Sequence, residues 1–191
     1  MTIFFTSDTH FGHRKALDFR AFPSVDDMDR YLIDNWNAVV QPGDTVYHLG
    51  DLSFHKLDRT IEIVRQLRGQ KHWIAGNHDK KLAKARGLSD LFVQVTPLHE
   101  IKVADPDAAG GKQRIVLCHF PMLTWNAAHH GAWMLHGHSH GTLRHPHVMR
   151  LMDVGVDPNC LSPVSYESVK LYIERTVGTD FVPVDLHKER R

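Results

Sequence analysis

The chain has 191 residues, which suits one domain with a single core, and we expect residues 1–191 to form one domain. Hydrophobic residues make up 42% and charged residues 24%, close to the globular average, which excludes a disordered or fibrous chain. Lys and Arg number 23 against 22 Asp and Glu, so no overall field attracts nucleic acid or anionic lipid.

In the first eighty residues, predicted strands alternate with predicted helices. The apolar periodicities predict, in chain order, strand 3–6, helix 26–40, strand 45–49, helix 57–67 and strand 71–75. Ser24 is the expected cap of the first helix, and Pro42 and Gly43 are expected to end it. Each strand ends at a polar residue, as expected where sites gather at the carboxyl ends of α/β strands.

Beyond Gly87 several strands follow one another instead. They are predicted at 91–96, 99–104, 113–119, 134–137 and 149–155, with a turn-rich hairpin tip at 105–111. A last helix is predicted at 165–176, and a closing edge strand at 181–186 before the charged tail 188–191.

The spacing of the cysteines, the amino-terminal sequence and the lengths of the apolar runs bear on disulfides, secretion and membrane insertion. Cys118 and Cys160 lack the spacing of a disulfide framework or a thiolate zinc site, and we expect both to be reduced and buried. The amino end lacks the basic and apolar regions of a signal peptide, and no run approaches the roughly 20 apolar residues of a membrane span. We therefore expect a cytoplasmic protein with no membrane partner.

Sixteen histidines are the unusual feature of the composition, and metal chemistry explains such an excess most simply. Residues two apart in an extended chain point the same way, so two D-x-H or H-x-H pairs can each face one cavity. Glycines at 50, 76 and 137 are expected to let the backbone turn sharply beside the ions. The potential ligands are Asp8, His10, Asp51, Asn77, His119, His138 and His140.

These blocks, D-x-H, G-D, G-N-H-D, H and G-H-x-H, resemble those of the calcineurin-like metallophosphoesterase family. Residues 153–158 and 163–165 are also similar to the closing segment of its small single-domain bacterial and phage members. The resemblance implies an α/β fold, a four-layer αββα sandwich of two mixed β-sheets flanked by helices. It also implies hydrolysis of phosphoester bonds by a hydroxide that bridges two metal ions.

The resemblance further implies a ligand set for each ion. Asp8, His10, Asp51 and His140 would hold one ion, and Asp51, Asn77, His119 and His138 the other, with Asp51 bridging the pair. Carboxylate, amide and imidazole ligands favour octahedral Mn²⁺ or Fe²⁺ over a closed zinc site, and Mn²⁺ is the first choice, with Ni²⁺ or Zn²⁺ as alternatives. The family's role for His78 is general acid and phosphate contact.

The expected partner is a small phosphoester, such as a nucleotide, and not extended duplex nucleic acid. Phosphodiesters are favoured over monoesters because no arginine clamp for a terminal dianion is evident. Two alternatives stay open: a phosphomonoesterase acting on a small substrate, and a catalytically silent scaffold of the same fold that binds metal and protein. The oligomeric state stays open as well.

Several further residues are candidates for substrate contact, and four of them have a structural alternative. His13 and Arg14 could touch a phosphate or form an exposed basic turn. His55 stands where phosphoprotein phosphatases of the wider family carry arginine, which argues against protein phosphatase activity. Trp125 and Asn126 could overhang the cleft and stack on a base, or pack as an ordinary aromatic segment.

The remaining polar residues receive structural interpretations. Asp79 is expected to cap a helix over 80–85. His136 is expected in the core or behind the ligands rather than on the metal. His145, His147 and His187 are expected to face solvent.

Overall fold

The chain folds into two β-sheets with helices packed against them, as seen in a computed structural model that describes residues 1–144 and 149–177. In these ranges the elements, in chain order, are β1 (Ile3–Thr6), α1 (Val25–Val39), β2 (Thr45–His48), α2 (Leu57–Gln66), β3 (Gln70–Ile74), β4 (Gln94–Thr96), β5 (Leu98–Ala104), β6 (Lys112–Cys118), β7 (Trp133–His136), β8 (Leu151–Asp153), β9 (Val164–Ser165) and α3 (Tyr166–Val177). Short 3₁₀ helices occupy several connections, including Arg14–Asp18 and Leu82–Lys84.

The first sheet has the strand order β4-β3-β2-β1-β9. Strands β1 to β4 are parallel, and β9 runs antiparallel to β1. The register pairs Thr6 with His48 and His48 with Trp73, so β1, β2 and β3 end at one edge of the sheet. The loops that follow these three strands therefore leave the sheet side by side.

The second sheet has the order β5-β6-β7-β8, with β5 and β6 forming an antiparallel hairpin and β6, β7 and β8 running parallel. Its carboxyl edge meets that of the first sheet. Ser7 and Gly155 form a parallel bridge, and the amide of Val156 donates to the carbonyl of Ser7 at 3.0 Å. The loops after the strands of both sheets consequently come together.

Helices α1 and α2 cover the outer face of the first sheet. Ser24 caps α1, as predicted, because its hydroxyl accepts a hydrogen bond from the amide of Asp27 at 3.1 Å. Met28, Leu32 and Trp36 recur at helical spacing and are buried against the sheet. Full burial of each such side chain contributes about 1.5–3 kcal/mol, so this face fixes the helix to the sheet.

A second core fills the space between the sheets. Successive strand residues point to opposite faces, so Phe4 packs under the helices whereas Phe5 enters the inter-sheet core. Helix α3 adds Tyr166, Val169 and Ile173 to this inner core. The outer face of the second sheet carries a smaller cluster of apolar residues, which Trp125 and other loop side chains cover.

The expectation of an α/β fold with two mixed sheets flanked by helices is confirmed. Two strands are shorter than predicted: only Gln94–Thr96 of 91–96 pairs with β3, and only Leu151–Asp153 of 149–155 pairs with β7. The predicted edge strand at 181–186, the tail 188–191, His145, His147 and His187 lie outside the described residues. Within the described ranges, no helix has the length and apolarity needed to cross a lipid bilayer.

Candidate metal centre

The polar residues predicted as ligands converge where the carboxyl edges of the two sheets meet. Two groups of side chains there could hold a metal ion, and in each group the ligand atoms lie within 4.8 Å of one another. The first group is Asp8, His10 and His140, and the second is Asp51, His119 and His138. This division matches the grouping implied by the sequence resemblance.

The first group contains buried polar atoms that lack partners. His10 Nε2 lies 3.5 Å from Asp8 Oδ1, and His140 Nε2 lies 3.8 Å from the same oxygen. Two ligands of one ion, each about 2.1 Å from it, are separated by about 3.0–3.5 Å. Among the described residues, Asp8 Oδ1 and His10 Nε2 have no hydrogen-bond partner. Because buried polar atoms are normally satisfied, these two atoms fit a bound cation.

In the second group, His119 is oriented as a ligand by its hydrogen bonds. Its Nδ1 lies 2.7 Å from the carbonyl of Leu49, which can only accept, so Nδ1 carries the proton. In the neutral ring, Nε2 then presents a lone pair to Asn77 Oδ1 at 2.9 Å and to Asp51 Oδ2 at 3.5 Å. Three electron-rich atoms facing one point are stabilised by a cation between them.

Asp51 lies between the two groups. Its Oδ2 is 3.5 Å from His10 Nε2 of the first group and 3.5 Å from His119 Nε2 of the second. Burial by itself raises the pKa of Asp51, but the His10 ring and the amide of His78 outweigh it and lower the pKa to about 2. The carboxylate is therefore charged at neutral pH and available to both groups.

Five of the seven predicted ligands have a positive φ angle, the left-handed backbone region that non-glycine residues rarely adopt. Such residues cost about 1–3 kcal/mol each and cluster at functional sites. The extended geometry predicted for the two D-x-H and H-x-H pairs is therefore wrong, because the side chains converge through left-handed turns. The five are Asp8 (56°), His10 (51°), Asp51 (54°), His138 (67°) and His140 (47°).

Glycines make close approach possible at this centre. A Cβ at Gly137 would collide with Ser7 Oγ and Asp8 Oδ2, and one at Gly76 would collide with Asp51 Oδ1. Gly50 has φ +94°, which agrees with the predicted sharp turn. Gly76 and Gly137 lie outside that left-handed region, so the reason predicted for them is wrong: they are needed for space rather than for turning.

Asp157 and Arg20, neither of which was predicted, hold the first group in place. His140 Nδ1 lies 2.6 Å from Asp157 Oδ2, and Arg20 donates two hydrogen bonds to the same carboxylate at 2.7 and 2.8 Å. Arg20 also donates to the carbonyls of Asp8 and Thr9. Burial raises the pKa of Asp157, but Arg20 and His140 outweigh it and lower the pKa well below its usual range.

The prediction that Asp79 caps a helix over 80–85 is wrong. Its carboxylate points inward and accepts hydrogen bonds from the amides of Asp51, Leu52 and Gly76 at 2.7, 3.0 and 2.7 Å, and from the Trp73 indole at 3.2 Å. Only the 3₁₀ helix Leu82–Lys84 forms in that segment. Asp79 instead fixes the loops that carry Asp51 and Asn77.

His78 lies at the mouth of the centre. Its amide donates to Asp51 Oδ1 at 3.0 Å, and its half-exposed ring has Nε2 3.9 Å from Asp51 Oδ2. His13 also lies beside the centre, with Nδ1 3.0 Å from His10 Nδ1, whereas Arg14 is exposed at the start of a 3₁₀ helix. Contact of a substrate phosphate with His78, His13 or Arg14 stays a prediction.

The other candidate substrate contacts are engaged by protein groups. His55 Nε2 lies 2.6 Å from the buried carboxylate of Asp29. The Trp125 indole donates to the carbonyl of Ala132 at 2.9 Å and packs on the second sheet, while Asn126 donates to Glu100. These contacts favour the structural alternative for Trp125 and Asn126, and they hold the His55 ring against Asp29.

His136 and the cysteines lie as follows. His136 is buried in β7, as expected, with its ring Nδ1 2.7 Å from the carbonyl of Gly137. Cys118 is buried and free, as expected. Cys160 is exposed, so the prediction that both cysteines are buried is wrong: it follows the 3₁₀ helix Asp157–Asn159 at the surface.

Comparison with known proteins gives a family but no activity. No protein-family profile matches the chain. It is 30% identical over 182 residues to the uncharacterized protein MJ1445 of Methanocaldococcus jannaschii, covering 91% of this chain and 92% of that protein. The chain is also 31% identical over 177 residues to the gene 66 protein of Mycobacterium phage L5, and the match covers 80% of this chain and 85% of that protein. The chain belongs to the family that contains these proteins.

A solved structure shares the fold. The protein of unknown function AQ665 from Aquifex aeolicus superposes with a TM-score of 0.65 at 23% identity, covering 90% of this chain and 99% of that one. The fold therefore recurs in a protein whose sequence is 23% identical to this one.

Proposed function

We propose that this protein is a binuclear metal-dependent phosphoesterase of the calcineurin-like metallophosphoesterase family. The observation that carries the proposal is the position of Asp51 Oδ2, 3.5 Å from a histidine nitrogen of each group. One carboxylate oxygen placed this way can serve two neighbouring ions at once. Two ions that share a carboxylate are typical of enzymes that cleave phosphoesters.

The donor set supports hard or intermediate divalent ions. Asp8, Asp51 and Asn77 offer oxygen and the histidines offer nitrogen, whereas the metal-ligand groups found among the described residues include no cysteine. Such sets suit Mn²⁺ or Fe²⁺, and Ni²⁺ and Zn²⁺ accept them too. We propose Mn²⁺ as the first ion to test.

Ions held here would polarise the phosphoryl oxygens and supply a nucleophile from water at neutral pH. The chain itself supplies the proton for the leaving oxygen. His78 has a half-exposed ring beside the centre, and its amide is fixed by Asp51 Oδ1, so Nε2 can reach a substrate bound at the mouth. We assign His78 as general acid, a role that contributes typically 10²–10⁴-fold to rate.

Arg20, which supports the first ligand group, is not free to bind a terminal phosphate dianion. Arg20 is buried, and its donors are taken by Asp157 and by the carbonyls of Asp8 and Thr9. A dianion usually recruits a bidentate arginine. This supports a preference for phosphodiesters, which carry a single charge, over phosphomonoesters.

The test uses the full chain stripped of metal and reloaded in turn with Mn²⁺, Mg²⁺, Ni²⁺ and Zn²⁺. Bound metal is counted by mass spectrometry, and hydrolysis is measured with chromogenic phosphodiester and phosphomonoester substrates. Wild type should hold two ions per chain and hydrolyse the diester. Asp51→Asn should lose metal and activity together, whereas His78→Gln should keep two ions and lose about 100-fold or more in kcat.

His129→Ala is the matched control, because His129 is exposed and belongs to neither group. It should change neither metal content nor rate. A single ion per chain in wild type would contradict the binuclear proposal. Tight binding of two ions without hydrolysis of either substrate class would favour a silent metal-binding scaffold.

A further inference from the structure

Three phenylalanines stand exposed around the metal centre. Phe19, Phe54 and Phe120, which we call the phenylalanine rim, have exposed fractions of 59%, 40% and 45%. They come from three separate parts of the chain: the end of the 3₁₀ helix Arg14–Asp18, the loop after β2, and the residue after His119. Their proximity is thus a property of the fold.

Each rim ring contacts a histidine of the centre. Phe19 lies 5.7 Å from the His140 ring, measured between centroids, and meets it edge-on. Phe54 lies 5.3 Å from His10 and 4.9 Å from His78. Phe120 completes the rim, 5.0 Å from His119 and 4.8 Å from His138. The rim therefore borders both ligand groups and the assigned general acid.

An exposed apolar surface of this kind is unusual beside charged groups. A phenylalanine side chain buries about 150–250 Å² when covered, so the three together leave on the order of 300 Å² open to water. Exposed apolar side chains gathered around one site on a soluble protein are often functional. The histidines of the centre contact part of each phenylalanine ring, and the exposed part of the ring is available to a ligand.

We propose that the phenylalanine rim recognises a planar aromatic group attached to the phosphate, so that the substrate class is aryl or nucleoside phosphoesters. This inference rests on the proposed phosphoesterase function. The phosphate would lie at the ligand groups, and its organic substituents must then leave the centre past the rim. Stacking of a base on an aromatic side chain is independent of base identity, and its loss weakens binding about 5- to 100-fold.

The position of Phe54 indicates which substituent of a diester would be the leaving group. One face of its ring is stacked on His13, with centroids 4.0 Å apart and planes at 10°, so that face is covered. Phe54 contacts His78, which is assigned to protonate the leaving oxygen. On this proposal Phe54 would border the leaving group, which leaves Phe19 and Phe120 for the substituent that stays on phosphorus.

The experiment compares phenyl p-nitrophenyl phosphate with methyl p-nitrophenyl phosphate on the Mn²⁺-loaded full chain. Both release the same leaving group, so their kcat/KM ratio reports the substituent that stays. Wild type should favour the phenyl ester about tenfold or more, mainly through KM. Phe19→Leu and Phe120→Leu, which keep apolar bulk but remove the ring, should lower that ratio at least threefold.

Tyr31→Leu is the matched control, since Tyr31 is an aromatic residue on α1 with 46% exposure that packs on Phe22. The ratio of kcat/KM for the phenyl and methyl diesters should be the same in this variant as in wild type. Metal content and thermal unfolding of every variant are measured alongside, so that a misfolded variant is recognised.

Binding is measured without turnover by calorimetric titration of phenylphosphonate and methylphosphonate, whose P–C bonds a phosphoesterase does not cleave, into the same protein. Phenylphosphonate should bind about tenfold tighter, and the difference should shrink in the leucine variants. Equal kcat/KM for both diesters with hydrolysis intact would overturn this inference and leave the phosphoesterase proposal standing. Absence of hydrolysis with every ion would overturn the phosphoesterase proposal, and the calorimetric preference would then decide on the rim alone.

Discussion

The carboxylate of Asp157 lies 2.6 Å from Nδ1 of His140, so the ring presents Nε2 to Asp8. Histidines that bind metal commonly donate their other nitrogen to a carboxylate, which fixes the ring and raises its basicity. Here the same carboxylate also pairs with buried Arg20, which is bonded to the backbone carbonyl of Asp8. The contact thus ties Arg20 and Asp157, which are 137 residues apart in the sequence, to one ligand group.

We expect Asp157→Asn to weaken the first ligand group selectively. The affinity of the first group for Mn²⁺ should fall about 10- to 100-fold, whereas the Mn²⁺ affinity of the group around Asp51 and His119 should change little. The free energy of unfolding should fall by about 3 kcal/mol, because the buried Arg20 loses its charged partner. Stepwise Mn²⁺ titration and urea unfolding measure both effects. Asp18→Asn, at an exposed position, is the control, and equal losses at both groups would contradict this role.

Gly137→Ala should damage the centre through a single methyl group. A Cβ there would collide with Ser7 Oγ and Asp8 Oδ2, so the strand end must shift. We expect a loss of about 1–3 kcal/mol in unfolding free energy and weaker metal binding by Asp8. Gly43→Ala is the control, because no atom lies within 4 Å of its added Cβ. Chemical denaturation compares the two, and equal stabilities would contradict the crowding.

The sequence was most informative where chemistry is local. Apolar runs that end in polar residues located β1, β2, β3 and β6, and six of the seven residues that the order of the blocks singled out lie in the two groups of possible metal ligands. Ser24 was recognised because an N-cap acts within three residues of itself. Such signals survive in a linear reading because the interacting groups are close in the chain.

The side chains that hold the candidate ligands in place could not be predicted from the sequence. Arg20 contacts Asp157 across 137 residues, and Asp79 contacts the amide of Asp51 across 28. The segment that contains Asp157 was recognised as a family signature, which was the available signal, but nothing in it specifies the contact with His140. Left-handed backbone at Asp8 and His10 was also missed. Asp and His adopt it more often than most non-glycine residues, but tertiary contacts decide at which positions they do so.

Asp79→Ala should be among the more destabilising single substitutions in this chain. It would leave the amides of Asp51, Leu52 and Gly76 buried without an acceptor. An unsatisfied buried group costs about 1–3 kcal/mol, so a loss of at least 3 kcal/mol is expected in urea unfolding. Asp90→Ala, at an exposed position, should change stability by less than about 0.5 kcal/mol. A loss below 1 kcal/mol for the Asp79 variant would show that its carboxylate is not needed to hold these loops.

The buried ring of His48 should make the metal-free protein sensitive to acid. Its Nδ1 accepts from the amide of Gly50 at 3.2 Å and its Nε2 meets Thr9 Oγ1 at 2.9 Å, an arrangement that holds the neutral ring. Burial lowers its pKa from 6.5 to about 3. The unfolded chain therefore takes up a proton below pH 6.5 while the folded chain does not, and stability falls as pH decreases toward 3.

The slope from this one group approaches 1.4 kcal/mol per pH unit. Urea unfolding in EDTA at pH 7.5, 6.0 and 5.0 should therefore show a smaller pH dependence for His48→Gln than for wild type, by about 1–2 kcal/mol over that range. His129→Gln, at an exposed histidine, supplies the comparison for an ordinary ring. If wild type and His48→Gln lost stability in parallel, the acid sensitivity would have to come from another buried group, such as His72, whose pKa is also lowered by burial.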